Sequence, residues 1–215
     1  MSADFIAPVQ AMDAAFSGRA CHLVDASGRA RPMPVHRWTG AHGAADHRLL
    51  LAHCRGRTID VGCGPGRLVE GLADRDVPAL GIDISPEAVR LTRDRGGLAL
   101  LRDVFGTVPG EGRWDVALLA DGNIGIGGDP VRLLRRAHEL VRPGGRVVVE
   151  LEPAGTGLRH HRIHLRVGRR MTPAFDWARV GLDAIGRIAE VSGFSVETTT
   201  SVGGRHAAVL IHEGA

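Results

Sequence analysis

Residues 58–68 read Thr-Ile-Asp-Val-Gly-Cys-Gly-Pro-Gly-Arg-Leu, a short apolar run that ends in three alternate glycines and passes straight into a helical pattern. The β-branched Thr58, Ile59 and Val61 favour a strand buried on both faces. Leu68, Val69 and Leu72 then fall on one face of the helix that follows. Gly62, Gly64 and Gly66 remove side chains where the backbone must turn sharply, which lets a ligand touch main chain. The helix beginning near Pro65 aims free N–H groups at the same spot, so a polar or anionic ligand group is implied. A dinucleotide fingerprint requires a third small residue at position 67, where Arg67 stands. The spacing is G-x-G-x-G, which disfavours a nicotinamide or flavin site.

Working outward, the runs 78–84 (PALGIDI), 98–104 (LALLRDV), 115–121 (DVALLAD) and 146–152 (RVVVELE) alternate with helical patterns, the βα rhythm of a parallel sheet. Ser85 before Pro86, and Asp129 before Pro130, mark two helix starts, and Arg142, Pro143 and Gly144 mark the stop of the second. Residues 177–194 are expected to form a helix with Gly193 as its stop. The segments 194–202 and 206–213, joined by Gly203 and Gly204, suggest a hairpin, so at least one strand runs antiparallel. The expected fold class is therefore α/β and doubly wound. Residues 1–56 form an arm or lid, with a small hairpin about Ser27 and Gly28 and a helix over 44–54. Residues 57–215 form the main domain, and 153–176 an insertion above the sheet that caps the substrate.

The 215 residues suffice for one domain with a sizeable core. At 44% hydrophobic and 24% charged, with a mean hydropathy of −0.01, the composition is that of a globular protein. All basic residues are Arg, and a net charge of +3 is too small to indicate nucleic acid. Cys21, Cys54 and Cys63 show neither disulfide nor zinc spacing, so a reducing cytoplasm is expected and no metal. The N-terminus lacks the basic start of a leader, and no apolar run reaches the ~18 residues of a membrane span.

Asp83, in Gly-Ile-Asp-Ile-Ser (81–85), stands 21 residues after Gly62 (83 − 62) and ends its strand, where a carboxylate bridges ribose hydroxyls. Asp103 at the next strand end is placed to accept from an adenine amino group, with Val104 and Phe105 as apolar contacts. Together the segments 60–66, 81–85, 102–104, 115–122 and 140–150, in this order, resemble the successive motifs of the class I S-adenosylmethionine-dependent methyltransferases. The resemblance covers about residues 57–152. It implies a Rossmann-like seven-stranded sheet, mostly parallel with a C-terminal antiparallel hairpin, which agrees with the tail read independently.

It further implies that Asp60, Gly62, Cys63, Gly64 and Gly66 hold the methionine end of S-adenosylmethionine, Asp83 with Ile84 the ribose, and Asp103 with Val104 the adenine. Asp121, Gly122 and Asn123 would line the place where methyl group and acceptor meet. The Asn-Pro-Pro-aromatic motif of amino methyltransferases is absent, since residues 121–125 read Asp-Gly-Asn-Ile-Gly, which argues against an adenine-N6 or glutamine acceptor.

Methyl transfer needs mainly alignment and desolvation, with a base where the acceptor must lose a proton. His42 and His161, in the arm and the insertion, are the histidines favoured for that role, beside Asn123. Trp38 is a candidate apolar lid. Arg159, Arg162, Arg166, Arg169 and Arg170 crowd the insertion, and the alternation of His160, Arg162, His164 and Arg166 against His161, Ile163, Leu165 and Val167 predicts a strand with one polar and one apolar face. That polar face suggests a cationic wall for an anionic acceptor. The reading is a cytoplasmic methyltransferase acting on a small molecule. The alternatives are an RNA-modifying methyltransferase and a non-catalytic S-adenosylmethionine-binding subunit.

Overall fold

The computed structural model describes residues 5–214. The arm holds α1 (Pro8–Phe16), β1 (Cys21–Val24), β2 (Ala30–Pro32), α2 (Val35–Thr39) and α3 (Ala44–Leu49). The alternating region follows with β3 (Thr58–Val61), α4 (Arg67–Ala73), β4 (Ala79–Asp83), α5 (Pro86–Asp94), β5 (Ala99–Leu101), β6 (Trp114–Leu119), α6 (Pro130–Leu140) and β7 (Val141–Leu151). Then come β8 (Leu158–Val167), β9 (Arg170–Met171), β10 (Phe175–Val180), α7 (Ile185–Glu190), β11 (Phe194–Val202) and β12 (Arg205–His212).

Seven strands form the main sheet in the order β11-β12-β7-β6-β3-β4-β5. β3 pairs in parallel with β4 on one side and β6 on the other, and β12 runs antiparallel to both β7 and β11. The Rossmann-like doubly wound sheet with its antiparallel hairpin is therefore as the sequence reads. Chain order reverses about β3, so the carboxyl ends of β3, β4 and β6 open a crevice where ligands of such sheets bind. One face of the sheet packs Leu133, Leu134, Ala137, Ile188 and Ala189 of α6 and α7; the other packs Leu49, Leu68 and Leu72 of α3 and α4. The two caps form as expected: Ser85 accepts from the Ala88 N–H at 3.0 Å and Asp129 from the Arg132 N–H at 3.0 Å.

A second antiparallel sheet, β10-β8-β1-β2 with β9 on β8, joins the arm to the region after β7. Cys21–Val24 pair with Val167–His164, and Phe175–Val180 with Ile163–Leu158. The helix expected over 177–194 is corrected here. Its first residues are the strand β10, the chain turns at Gly181, and only 185–190 are helical. Strand pairing with β8 satisfies the backbone of 175–180 and overrides a helical pattern that is locally acceptable. The small sheet thus reaches Val180, beyond the insertion limit read at 176. On β8 the predicted alternation holds: Leu165 and Val167 are buried against Ala11 and Ala15 of α1, while His160, Arg162 and Arg166 are exposed. Among the described residues no helix is long and apolar enough to cross a membrane.

Candidate functional site

A cavity of about 400 Å³ lies in the crevice at the carboxyl ends of β3, β4 and β6. Its floor is the glycine turn. Gly62 and Cys63 donate to the Ile82 carbonyl at 2.8 and 3.1 Å, which locks the turn onto the end of β4. Asn123 donates its amide N–H groups to the Val61 and Gly62 carbonyls at 2.8 and 2.9 Å. Gly62 has φ +70°, and a Cβ there would lie 2.8 Å from the Asn123 amide nitrogen. Gly66, at φ +83°, caps α4, where a Cβ would lie 2.7 Å from Thr92. At the end of β4, Asp83 accepts from the Gly64 N–H at 2.9 Å and from the Ser85 N–H at 2.8 Å. Each carboxylate oxygen keeps a lone pair for a further donor.

The charge of the site is set by burial. Asp60 is 1% exposed, and its Oδ2 has no hydrogen-bond partner. Burial, and then the neighbouring Asp121 charge, push its carboxyl up to about 7. Behind it runs a closed ring of charges. Arg67 pairs with Asp46 and, at 2.5 Å, with Asp121 Oδ2. Asp46 pairs with Arg205 at 2.6 Å, and Arg205 with Glu150 Oε1 at 2.7 Å. Glu150 in turn accepts the Asp121 backbone N–H at 2.9 Å. Burial works against the Asp46 charge, but its bonds to Arg67 and Arg205 win and hold it at about 2. For Asp121 burial outweighs Arg67, and the carboxyl is raised. Asp121 also takes a left-handed φ of +52°, uncommon outside glycine and sustained here by the ring.

The walls are apolar and come from five places. Met12 and Phe16 of α1 and Trp38 of α2 cover the cavity, with the Phe16 and Trp38 rings edge to face at 6.4 Å. Phe105 follows β5, Ile126 follows β6, and Trp177 reaches in from β10. The arm is fastened by Asp13, which accepts from the Ser85 hydroxyl and from the Glu87 N–H at the start of α5.

Of the residues read from the sequence, Asp60, Gly62, Cys63, Gly64, Asp83, Ile84, Asp103, Val104, Asp121 and Asn123 come together on this cavity, as does Trp38. Gly66 and Gly122 shape its turns without lining it. The two histidines lie away from it. His42 lies against α4, with Nε2 2.9 Å from Asp74, and His161 stands opposite Trp177 on β8 with a buried, unpartnered Nε2. Neither lines the cavity. Nor does any of Arg159, Arg162, Arg166, Arg169 and Arg170, expected as a cationic wall, line the cavity. The apolar face of β8 is the one turned inward. Sequence reasoning missed Met12, Arg67 as a structural cation, Arg102, Ile126 and Trp177. For Arg67 the available signal was a large basic residue directly after a glycine turn, opposite the acidic Asp46 of the arm.

Comparison with known proteins bears on this arrangement. Residues 59–147 match the family model described as a methyltransferase domain. The match covers the stretch from β3 into β7, less than half of the chain. A ubiquinone biosynthesis O-methyltransferase of Pseudomonas paraeruginosa is 37% identical over 110 residues, 47% of this chain and 46% of that one. The chain spans about half the length of the curated relatives it matches. Among solved structures, a SAM-dependent methyltransferase from Bacteroides fragilis in complex with S-adenosyl-L-homocysteine superposes with TM-score 0.78 at 20% identity, covering 95% of this chain and 94% of that chain. The 1,6-didemethyltoxoflavin-N1-methyltransferase of Burkholderia thailandensis gives 0.64 at 17% identity, over 99% and 93%. At these identities the likeness is one of fold.

Proposed function

We propose that this methyltransferase domain binds S-adenosylmethionine and methylates a small-molecule acceptor. The observation that carries the reading is the orphaned Asp60 Oδ2, buried beneath a glycine turn that a Cβ would obstruct, at the head of an apolar cavity. A buried carboxylate oxygen without a donor costs stability, and a ligand ammonium removes that cost. The donor set fits the cofactor along its length. Asp60 with Gly62, Cys63 and Gly64 suits the methionine end, Asp83 and Ile84 the ribose, and Asp103 and Val104 the adenine edge. Asp121, Gly122 and Asn123 stand at the acceptor end.

When bound, the cofactor supplies a methyl group on a sulfonium, whose leaving group is a neutral thioether. The chain contributes alignment and a dry site. Asn123 works as a positioning residue, because its amide N–H groups are spent on the main chain of the turn. Phe16, Trp38 and Trp177 exclude water from the acceptor end. The small aromatic cavity, closed by the arm, supports a metabolite-sized acceptor.

The test is calorimetric titration with S-adenosylmethionine, S-adenosylhomocysteine and NAD at matched concentrations. Binding of the first two and silence from NAD is expected. A folded protein that ignores both adenosyl compounds would sink the reading.

A further inference from the structure

Two carboxylates in the cavity each keep one oxygen outside every hydrogen bond: Asp60 Oδ2 and Asp121 Oδ1. They differ in what surrounds them. Asp60 ends β3 beneath the glycine turn. Asp121 follows β6 at the acceptor side, with Oδ2 held by Arg67 at 2.5 Å and its backbone N–H held by Glu150 at 2.9 Å. The carboxylate cannot swing away without breaking a buried ion pair. Arg37 Nη2 stands 3.8 Å from Oδ1, beyond hydrogen-bond reach, on a side chain that is 48% exposed.

The rest of the lining points to the chemistry of the missing partner. Asp83 and Asp103 add to Asp60 and Asp121, against Arg67 and Arg102. Arg67 is committed to Asp46 and Asp121, while Arg102 is exposed and donates to the Leu101 carbonyl at 2.9 Å. A carboxylate or phosphate at the β6 end would meet Asp121 Oδ1, with Arg37 as the nearest cation outside the buried ring. An N–H donor would meet Asp121 Oδ1, and a cationic nitrogen would also meet the ring faces of Trp38, Trp177 and Phe16, which attract ammonium groups.

We infer that the acceptor is an amine and that Asp121 Oδ1 is the atom that receives its N–H. This rests on the cavity holding S-adenosylmethionine, with Asp60 facing the cofactor's own amino group. It replaces the anionic acceptor suggested by the basic insertion strand, and it gives Asp121 a role on the acceptor side.

The test compares S-adenosylhomocysteine with sinefungin, an analogue that carries an amine on the carbon replacing the methylated sulfur. Calorimetry on the wild-type protein should show sinefungin binding at least about tenfold tighter, a gain of ~1.4 kcal/mol. In Asp121→Asn the ratio should fall to within about threefold, while S-adenosylhomocysteine affinity changes by less than about threefold. In a second titration, protein saturated with S-adenosylhomocysteine should bind benzylamine in preference to benzoate. Equal affinity of the two analogues for the wild type, or benzoate binding as well as benzylamine, would overturn the inference. So would an Asp121→Asn variant, folded by circular dichroism, that keeps the wild-type ratio between the two analogues. The wild-type comparisons need no variant, so misfolding of Asp121→Asn leaves the inference exposed to refutation. Failure of S-adenosylhomocysteine to bind at all strikes the cofactor reading instead, and the two failures are distinct.

Discussion

Replacing Arg67 by Met keeps most of its apolar stem and removes the guanidinium from the centre of the ring. Arg67 is 5% exposed, and both of its partners are buried or nearly so. Breaking a buried pair costs ~3–5 kcal/mol because the remaining charge is left uncompensated. Two features place this case at the low end. Asp46 keeps Arg205 at 2.6 Å and the Gly43 N–H at 3.1 Å, and Asp121 can take up a proton. We expect a loss of about 3 kcal/mol at pH 8, a fall in Tm of roughly 6–12 °C for a chain of this size.

The pH dependence carries the sign of the argument. The folded-state pKa of Asp121 already lies above that of an ordinary carboxyl and rises further without Arg67, which lowers it. Asp60 responds in the same direction. Across that window the folded variant holds protons that the unfolded chain has released, so its stability falls as pH rises from about 4 through the raised values. The loss relative to wild type should therefore shrink to about 1–2 kcal/mol near pH 5. Urea unfolding at pH 5, 6.5 and 8, followed by circular dichroism, measures it. A loss under 1 kcal/mol at pH 8, or one that does not vary with pH, would refute the reasoning.

Gly62→Val asks a side chain to take φ +70°, at a cost of ~1–2 kcal/mol, and drives it into Asn123. S-adenosylhomocysteine affinity should drop more than about tenfold while the far-ultraviolet dichroism stays native; unchanged affinity would mean that the turn does not approach the ligand. Asp13→Ala removes the acceptor that fastens α1 to the start of α5, worth about 1 kcal/mol. Hydrogen exchange should speed up over 8–16 and leave β3 and β6 protected, and equal protection of α1 in both proteins would count against the fastening.

What the sequence made legible was local. The glycine turn, the caps at Ser85 and Asp129, the strand ends at Asp83 and Asp103, and the Gly203–Gly204 hairpin all announce themselves within a few residues. So does β8, whose alternation of His160, Arg162 and Arg166 against Leu165 and Val167 is visible at once. Less legible was what depends on partners far along the chain. Residues 177–180 carry an acceptable helical pattern, and only the pairing with β8 makes them a strand. Alternation likewise does not say which face turns inward, and so the basic residues of β8 suggested a wall they do not build. His42 looked available because its partner Asp74 lies 32 residues away. Arg67 read as an objection to one cofactor, whereas it joins Asp46 of the arm to Asp121 after β6.

The sheet that closes the cavity joins β1 to β8, strands separated by 134 residues (158 − 24). At ribosomal rates of about 5–20 residues per second, roughly 7–27 s pass between the synthesis of the one and the arrival of the other. During that interval the β1–β2 hairpin can form on its own, but the side of β1 that β8 will pair is an open edge. By then β3 to β7 have been made and can pair. Met12, Phe16 and Trp38 of the arm thus precede the crevice they cover, whereas Trp177 arrives after β3 to β7 and is laid onto strand ends already made.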